Sequence, residues 1–252
     1  MSQNFELVIF DNDGVLVNSE HAYLDFWPDF LKDYDIEIDA TYVEENFMGT
    51  KSIENIKKVF AEFAKPLPDL DVIHGQYNDA LEAKMPAFVT AMPGVKEAVS
   101  SITLPKCVAS SASKRSLGNK QKWAGVQDLF EDDQKFTSDM EMDGKPINGK
   151  PAPDIFILAA RENGIEPEKC VVIEDSIFGV QAAKAAGMYA IGFVGGEHIE
   201  DKDAFAEKLK AVGADVVIEH MDELTREIEM PTGLDERRLY ERCLDESGEI
   251  ER

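Results

Sequence analysis

Apolar runs alternate with amphipathic stretches along most of this chain. Six short segments rich in apolar residues predict strands, at 7–10, 107–109, 135–137, 170–173, 190–193 and 215–218. Apolar residues at helical spacing predict helices between the last five of them, near 113–123, 153–163, 179–186 and 204–212. Strands that alternate with helices form βαβ units, so we expect an α/β fold. Its sheet should be Rossmann-like and mostly parallel, with helices on both faces.

The segment after the first strand has a different pattern. Four helices are predicted, at 22–34, 42–47, 52–64 and 72–85, and no strand is evident between them. We therefore expect a helical insertion over 17–91, and a core formed by 1–16 and 92–228. The alternative is that these helices simply cover one face of the sheet. Residues 229–252 form a charged extension with one possible helix at 234–244, and we assign it no chemistry.

Carboxylates follow the first predicted strand immediately. Asp11 comes directly after the apolar run, Asp13 lies two residues later, and Gly14 adds a flexible turn. The carboxyl ends of strands are where open α/β sheets bind ligands. Two close carboxylates repel each other, and Mg²⁺ is the hard cation that would stabilise such a pair. The alternative is an Asx-rich turn that merely ends the strand.

A second apolar strand ends in the same way, with Glu174 and Asp175 after residues 170–173. Parallel pairing would bring Asp175 beside Asp11 and form a carboxylate cluster that requires a divalent cation. After the second strand, Ser110 and Ser111 offer hydroxyls and turn amides to phosphoryl oxygens. Serines at this point also cap helices, a role that Ser113 would fill.

Composition narrows the range of partners. The 252 residues include 50 acidic and 26 basic side chains, which gives a formal net charge of −24. Nucleic acid and anionic membrane surfaces attract basic patches, so neither is an expected partner. A phosphorylated substrate stays compatible, because a local lysine and a metal ion can override the overall charge. Three scattered cysteines predict reduced thiols and a cytoplasmic location, and no apolar run has the ~18 residues of a membrane helix.

These motifs resemble those of the haloacid dehalogenase-like hydrolases, especially the β-phosphoglucomutase-like branch with a small helical cap. The first motif is the segment DNDGVLVNSE at 11–20, and the segments SSAS at 110–113, GKPAPD at 149–154 and IEDS at 173–176 follow in family order. The resemblance implies that the insertion is the cap. It also implies that Ser110 binds phosphate, with Ser111 in its place if the strand is longer, and that Lys150 neutralises phosphate charge.

The resemblance further implies phosphoryl transfer through an aspartyl phosphate. Asp11 would be the nucleophile, and Asp13 would protonate the leaving group and then activate water. Asp11, Asp175 and the main-chain carbonyl of Asp13 would hold Mg²⁺, with Glu174 in support. The retained Asp13 favours phosphate esters over the substrates of dehalogenases and phosphonate-cleaving relatives, which lack it.

The expected substrate is a small phosphorylated metabolite. The segment 192–196, followed by Glu197 and His198, resembles sugar-phosphate and 6-phosphogluconate phosphatases. One alternative is a sugar phosphomutase of the β-phosphoglucomutase type. Members of that branch have a histidine at the position of Tyr23. They also have a cap arginine, and near its position this chain has only Lys51. A non-catalytic phosphate-binding regulator is the third hypothesis. Asn18 stands where many relatives have an aspartate, and the effect of this change is left open. We expect the protein to be a monomer or a weak homo-oligomer.

Overall fold

The computed structural model describes residues 4–47, 52–197 and 199–229. The strands are β1 (Leu7–Phe10), β2 (Val17–Asn18), β3 (Thr90–Ala91), β4 (Lys106–Ser110), β5 (Lys135–Thr137), β6 (Glu141–Met142), β7 (Lys145–Pro146), β8 (Cys170–Glu174), β9 (Tyr189–Phe193) and β10 (Val216–Ile218). The α-helices are α1 (Glu20–Lys32), α2 (Ala40–Phe47), α3 (Ser52–Glu62), α4 (Leu70–Lys84), α5 (Val95–Ser101), α6 (Lys114–Ala124), α7 (Asp154–Glu162), α8 (Ile177–Ala185), α9 (Lys202–Ala211) and α10 (Leu224–Glu229). Short 3-10 helices lie at Met85–Ala87, Gln127–Leu129, Asp132–Gln134, Pro167–Lys169 and Met221–Glu223.

Six strands form one sheet in the order β10-β9-β8-β1-β4-β5, and every neighbouring pair is parallel. These are the six strands that the apolar runs predict, and the predicted fold class is confirmed. The chain runs from β1 outward to β4 and β5, then returns to the other side of β1 for β8. The strand order therefore reverses between β1 and β8, which is where open α/β sheets form ligand-binding crevices.

Strand β1 is buried on both faces because all four of its side chains are apolar. Val8 and Phe10 pack on one face of the sheet, with α5, α6 and α10. Leu7 and Ile9 pack on the other face, with α7, α8 and α9. A strand covered on both faces requires a continuous apolar run rather than an alternating one. This run ends at Phe10, so the polar residues that follow lie at the edge of the core.

Helices α1 to α4 lie between β2 and β3 in the chain. These two short strands pair antiparallel, with Val17 opposite Ala91 and Asn18 opposite Thr90. The chain thus enters and leaves the helical segment through two adjacent strands. Its interior is aromatic, and the ring centroids of Trp27 and Phe47, for example, are 4.7 Å apart.

Several features differ from the sequence-based prediction. The β2–β3 pair, the β6–β7 hairpin and α10 were not predicted, because segments this short carry no measurable periodicity. Helix α8 begins two residues before the predicted start at Gly179. The possible helix at 234–244 lies outside the described residues. Among the helices that the structure describes, none combines the length and apolar character needed to cross a membrane.

Candidate active site

The ends of β1, β4 and β8 bring the predicted site residues together. Phe10 pairs with Val108 of β4 and with Ile173 of β8. The residues that follow these positions therefore meet at one edge of the sheet, and the Asp11 backbone N–H donates to the Ile173 carbonyl at 2.9 Å. Asp11, Ser110 and Glu174 are all buried at this edge.

Lys150 reaches this edge from the loop before α7. Its Nζ donates to Asp11 Oδ1 at 2.5 Å and to the Ala109 carbonyl at 3.2 Å, and it also contacts Glu174 Oε1. Burial opposes the charged form of Lys150, but the attraction of the two carboxylates is larger, so its pKa lies above the usual range. The side chain is therefore a buried ammonium group that faces two carboxylates.

The approach of Lys150 is fixed by its own loop. The Asn148 backbone N–H and side-chain Nδ2 both donate to Asp154 Oδ2 at 2.9 Å, and Asp154 is the first residue of α7. The Lys150–Pro151 peptide bond is cis. Lys145, the other lysine in a Gly-Lys-Pro triplet, is exposed in the β6–β7 hairpin. The structure thus separates two similar triplets and brings only Lys150 to Asp11.

The Asp11 carboxyl lies in a buried and largely anionic environment. Burial raises its pKa to about 8, Lys150 opposes this, and the neighbouring Glu174 and Asp13 add to the increase. A nucleophilic carboxylate must be ionised near neutral pH. The protein groups alone thus disfavour the form that the predicted chemistry requires, and an additional positive charge would restore it.

Three carboxylates could supply the ligands for such a charge. One oxygen from each of Asp11, Glu174 and Asp175 lies within 4.8 Å of the others. All three are hard oxygen donors, the type that Mg²⁺ prefers. Glu174 Oε2 also accepts from the Ser176 backbone N–H at 3.1 Å and hydroxyl at 2.9 Å. With Lys150 on Oε1, Glu174 is held by protein donors on both oxygens, as expected of a supporting residue.

Glycines leave the space that these carboxylates occupy. A Cβ built on Gly14 would lie 1.7 Å from Asp175 Oδ2, and Gly14 has a φ of +77°. A Cβ on Gly179 would lie 1.8 Å from the Glu174 carboxyl carbon. The loop after β1 and the helix after β8 therefore approach the carboxylates more closely than any other residue type allows. This fit supports a divalent cation among Asp11, Asp175 and the loop of Asp13.

Asp13 is bound by donors from outside the carboxylate cluster. The Ser19 hydroxyl and the Lys120 ammonium both donate to its Oδ1 at 2.5 Å. Burial would raise the pKa of Asp13, but the Lys120 charge and these hydrogen bonds together lower it. The side chain of Asp13 is thus held as an oriented carboxylate. The sequence-based prediction assigned the main-chain carbonyl of Asp13, not its side chain, to the metal. The contacts of the side chain are compatible with that assignment.

The two candidate serines differ in exposure. Ser110 ends β4 with 1% of its surface exposed, and its Oγ accepts from the Ala112 backbone N–H at 3.1 Å. Ser111 follows and is exposed. Ser113 caps α6, since its Oγ accepts from the Ser116 backbone N–H at 3.3 Å. The structure therefore confirms the capping role of Ser113 and leaves both other serines as candidates for phosphate binding.

A cleft of about 210 Å³ separates α1 and α4 from α6. Tyr23 and Asn78 line the first side, and Asn119, Lys120 and Trp123 line the second. Its walls thus combine aromatic rings with side-chain amides and charge, which suits a polar molecule with apolar ring or chain faces. Lys120 lines this cleft and also contacts Asp13.

The comparisons with known proteins agree with this geometry. The family model described as haloacid dehalogenase-like hydrolase matches residues 5–187, which is more than half of the chain. The chain belongs to the haloacid dehalogenase-like hydrolases. The predicted family and the predicted enzyme class are thereby confirmed.

Two relatives of this haloacid dehalogenase-like hydrolase are named as phosphatases, and a similar solved structure is named as a hydrolase. The 6-phosphogluconate phosphatase of Escherichia coli K12 is 27% identical over 193 residues, which cover 77% of this chain and 84% of the relative. The phosphorylated carbohydrates phosphatase of Thermotoga maritima is 29% identical over 193 residues, which cover 74% of this chain and 83% of the relative. The structure of a haloacid dehalogenase family hydrolase from Deinococcus radiodurans, solved with bound phosphate and sodium, superimposes with a TM-score of 0.70. The two sequences are 30% identical, and the match covers 88% of this chain and 94% of the other.

Some site residues of this haloacid dehalogenase-like hydrolase were not predicted. Lys120 and Gln121 occupy buried positions on α6 with Leu117, a spacing at which apolar residues are expected. The presence of polar residues at apolar positions of a helix was the signal that could have marked them as functional. Asn18, whose role was left open, donates to Glu197 Oε2 at 3.1 Å. Lys51 and His198 lie outside the described residues.

Proposed function

We propose that this chain is a magnesium-dependent phosphomonoesterase that hydrolyses a sugar phosphate or a similar small phosphorylated metabolite through an aspartyl phosphate. The observation that carries the proposal is the pairing of Asp11 with Lys150 inside the carboxylate cluster, with Asp13 two residues further on. A non-catalytic phosphate-binding regulator needs no acid–base group beside its phosphate site. The held carboxylate of Asp13 therefore favours an enzyme.

In the first step, Asp11 Oδ attacks the phosphorus atom while the bond to the leaving oxygen breaks. Asp13, which carries the proton that it took from water in the preceding turnover, gives this proton to that oxygen and becomes the carboxylate that its contacts favour. In the second step, Asp13 takes a proton from water as the water oxygen attacks phosphorus. The acyl–phosphate bond then breaks, which releases inorganic phosphate and regenerates the Asp11 carboxylate. Lys150 and Ser110 or Ser111 hold the transferring group throughout.

We assign the metal to Asp11, Asp175 and the main-chain carbonyl of Asp13, with Glu174 in support. When bound, Mg²⁺ would offset negative charge on the nucleophile and on the phosphoryl group. The proposal for Mg²⁺ in particular is supported by an all-oxygen donor set. Without the ion, burial and the neighbouring carboxylates raise the pKa of Asp11 and disfavour the ionised nucleophile, which Lys150 alone only partly offsets.

Residues 17–91 are proposed to form a cap over a core of 1–16 and 92–228. The β2–β3 pair, which joins α1–α4 to the rest of the chain, and the cleft beside α6 support this division. In this arrangement the phosphate faces Asp11 and the leaving group extends into the cleft. Similarity to two carbohydrate-type phosphatases supports a sugar as that leaving group. Cys107 and Cys170 are buried free thiols, which supports the proposed cytoplasmic location.

The test is release of free phosphate from a panel of phosphorylated metabolites, with Mg²⁺ and with excess chelator. Asp11→Asn should lower kcat by a factor on the order of 10⁴ or more, because an amide is a poor nucleophile. Asp133→Asn, at an exposed carboxylate away from the site, is the control and should keep wild-type kcat. Full activity in chelator, or wild-type kcat in Asp11→Asn, would contradict the proposed mechanism.

The same assay distinguishes the two serines. Removing the hydroxyl that binds the phosphoryl group should raise KM and lower kcat/KM by about 10-fold or more, as for a lost charge-assisted hydrogen bond. Ser110→Ala and Ser111→Ala are therefore compared side by side, with Ser113→Ala as the control for loss of a helix cap. Equal values for the first two variants and the wild type would remove both serines from the site.

A further inference from the structure

Lys120 occupies a position where a helix normally places an apolar side chain. It lies on the buried stripe of α6 between Leu117 and Gln121, and 9% of its surface is exposed. Burying an ammonium group is costly, and a buried ion pair often stabilises a fold no better than apolar packing would. Stability alone therefore gives little reason for a lysine here, and its contacts indicate another role.

The contacts of Lys120 converge on Asp13. Its Nζ lies 2.5 Å from Asp13 Oδ1, and the Ser19 hydroxyl reaches the same oxygen at 2.5 Å. The two donors come from different elements, α6 and the residue before α1. Together they fix the direction of one carboxylate oxygen, which a single donor would leave free to rotate.

Lys120 is itself held against the proposed cap. Its Nζ lies 5.6 Å from the centroid of the Tyr23 ring on α1, within range of a cation–π interaction. Helix α6 also packs against β2 and β3, the two strands that join the helical segment to the rest of the chain. The ammonium group thus lies where α1, α6 and the loop after β1 meet, at the wall of the cleft.

We propose that Lys120 is a positioning residue that orients the Asp13 carboxylate for the step in which it accepts a proton from water. This rests on the proposed aspartyl-phosphate mechanism. Because Lys120 acts through Asp13, its effect on turnover at saturating substrate should fall on the steps that need Asp13. With a good leaving group, formation of the phosphoenzyme needs no acid. Loss of Lys120 should then slow hydrolysis of the intermediate and leave its formation almost unchanged.

The test uses p-nitrophenyl phosphate, whose leaving group departs without protonation. Steady-state turnover is measured together with the fraction of enzyme that carries a phosphoryl group, trapped in acid and read by intact mass. Lys120→Met keeps the length and apolar stem of the side chain and removes its charge. We expect turnover to fall about 10- to 100-fold, in the range of a lost acid–base contribution, while the phosphoenzyme fraction rises.

Three further variants complete the test. Lys120→Arg restores a cation and should recover at least part of the turnover, and Lys122→Met, on the exposed face of α6, should match the wild type. Asp13→Asn should accumulate the most phosphoenzyme. If Lys120→Met lowers turnover without raising the phosphoenzyme fraction, or leaves turnover unchanged, the inference is wrong. If Asp13→Asn releases p-nitrophenolate but never carries a phosphoryl group, the proposed mechanism itself is wrong.

Discussion

The side-chain amide of Asn18 donates to the Glu197 carboxylate at 3.1 Å, and this bond joins β2 to the loop after β9. Asn18 is buried and lies in the β2–β3 pair through which the proposed cap leaves the core. A carboxylate at this position would face Glu197 at hydrogen-bond distance with no proton between them. The asparagine that departs from the common family pattern is thus matched by an acidic partner in this chain.

The first prediction follows from that match. Asn18→Asp should lower the free energy of unfolding by about 1–2 kcal/mol, because it removes a donor and places two carboxylates together. Urea unfolding at neutral pH measures the loss. Glu197→Gln alone should have little effect, since its amide can still accept from Asn18. In the double variant the glutamine can donate to the new aspartate, so most of the stability should return. Equal losses from Asn18→Asp in both backgrounds would refute the coupling.

Gly14 provides a second prediction, on the metal site. Gly14→Ala would place a Cβ 1.7 Å from Asp175 Oδ2 and force this carboxylate to move. The Mg²⁺ concentration for half-maximal phosphate release should rise by a factor of about 10 to 100, comparable to the loss of a metal-orienting contact. The matched control is Gly144→Ala. Gly144 has a similar φ of +72° but no neighbouring atom within 4 Å, so it carries only the backbone strain of about 1–2 kcal/mol. Identical Mg²⁺ dependence in both variants would contradict the prediction.

The third prediction concerns pH. The metal-free fold raises the pKa of Asp11 from 3.8 to about 8, so between these values the folded protein keeps a proton that the unfolded chain has lost. The contribution of Asp11 to stability is therefore fully present below pH 4 and is lost as pH rises through about 8. Mg²⁺ must displace this proton, so its stabilising effect should grow from pH 6 to pH 8 and then level off.

The measurement for this third prediction is urea unfolding at pH 6, 7, 8 and 9, with chelator and with Mg²⁺. Asp11→Asn is the control, because its amide does not titrate and the pH-dependent part of the Mg²⁺ effect should disappear. A Mg²⁺ effect that is constant from pH 6 to pH 8 in the wild type would show that Asp11 does not release a proton on binding.

The parts of the site that sequence predicted are those with local signals. Asp11 and Glu174 each end an apolar run, and β1 lies between β4 and β8, so parallel pairing alone brings these ends together. Lys150 lies between a glycine and a proline, Gly149 and Pro151, and the proline restricts the shape of its loop. Strand patterns and residue spacing explain why the predicted fold and the juxtaposition of Asp11 and Asp175 could be anticipated, whereas the role of Lys150 was implied by the resemblance to the family's motifs.

The remaining parts depend on contacts between distant segments. Lys120 and Asp13 are 107 residues apart, and Asn18 and Glu197 are 179 residues apart. Nothing in either local sequence states that the two will meet. The clearance at Gly14 is equally invisible, because a glycine after a strand suggests only a turn. Sequence patterns predicted which edge of the sheet carries the site, whereas its second layer of contacts required the tertiary structure.

The last prediction concerns the acceptor of the phosphoryl group, which we expect to be water rather than a sugar hydroxyl. A mutase must protect its aspartyl phosphate until a bisphosphate intermediate has turned round under the cap. In the β-phosphoglucomutase-like branch a histidine occupies the position of Tyr23, a phenol that is neutral at physiological pH. Here Tyr23 packs beside the Lys120 ammonium, which already contacts Asp13. A base held in place by this lysine should activate water readily, and the intermediate should therefore be short-lived.

The decisive measurement follows free phosphate and glucose 6-phosphate together during incubation with α- or β-glucose 1-phosphate. Samples with and without added glucose 1,6-bisphosphate are compared. We expect phosphate release without priming, and no glucose 6-phosphate above the level of the Asp11→Asn control. Tyr23→His tests the role of the phenol, because a histidine alone should not create mutase activity if Lys120 keeps Asp13 directed at water. Glucose 6-phosphate that forms only with the bisphosphate, and without phosphate release, would establish the phosphomutase instead.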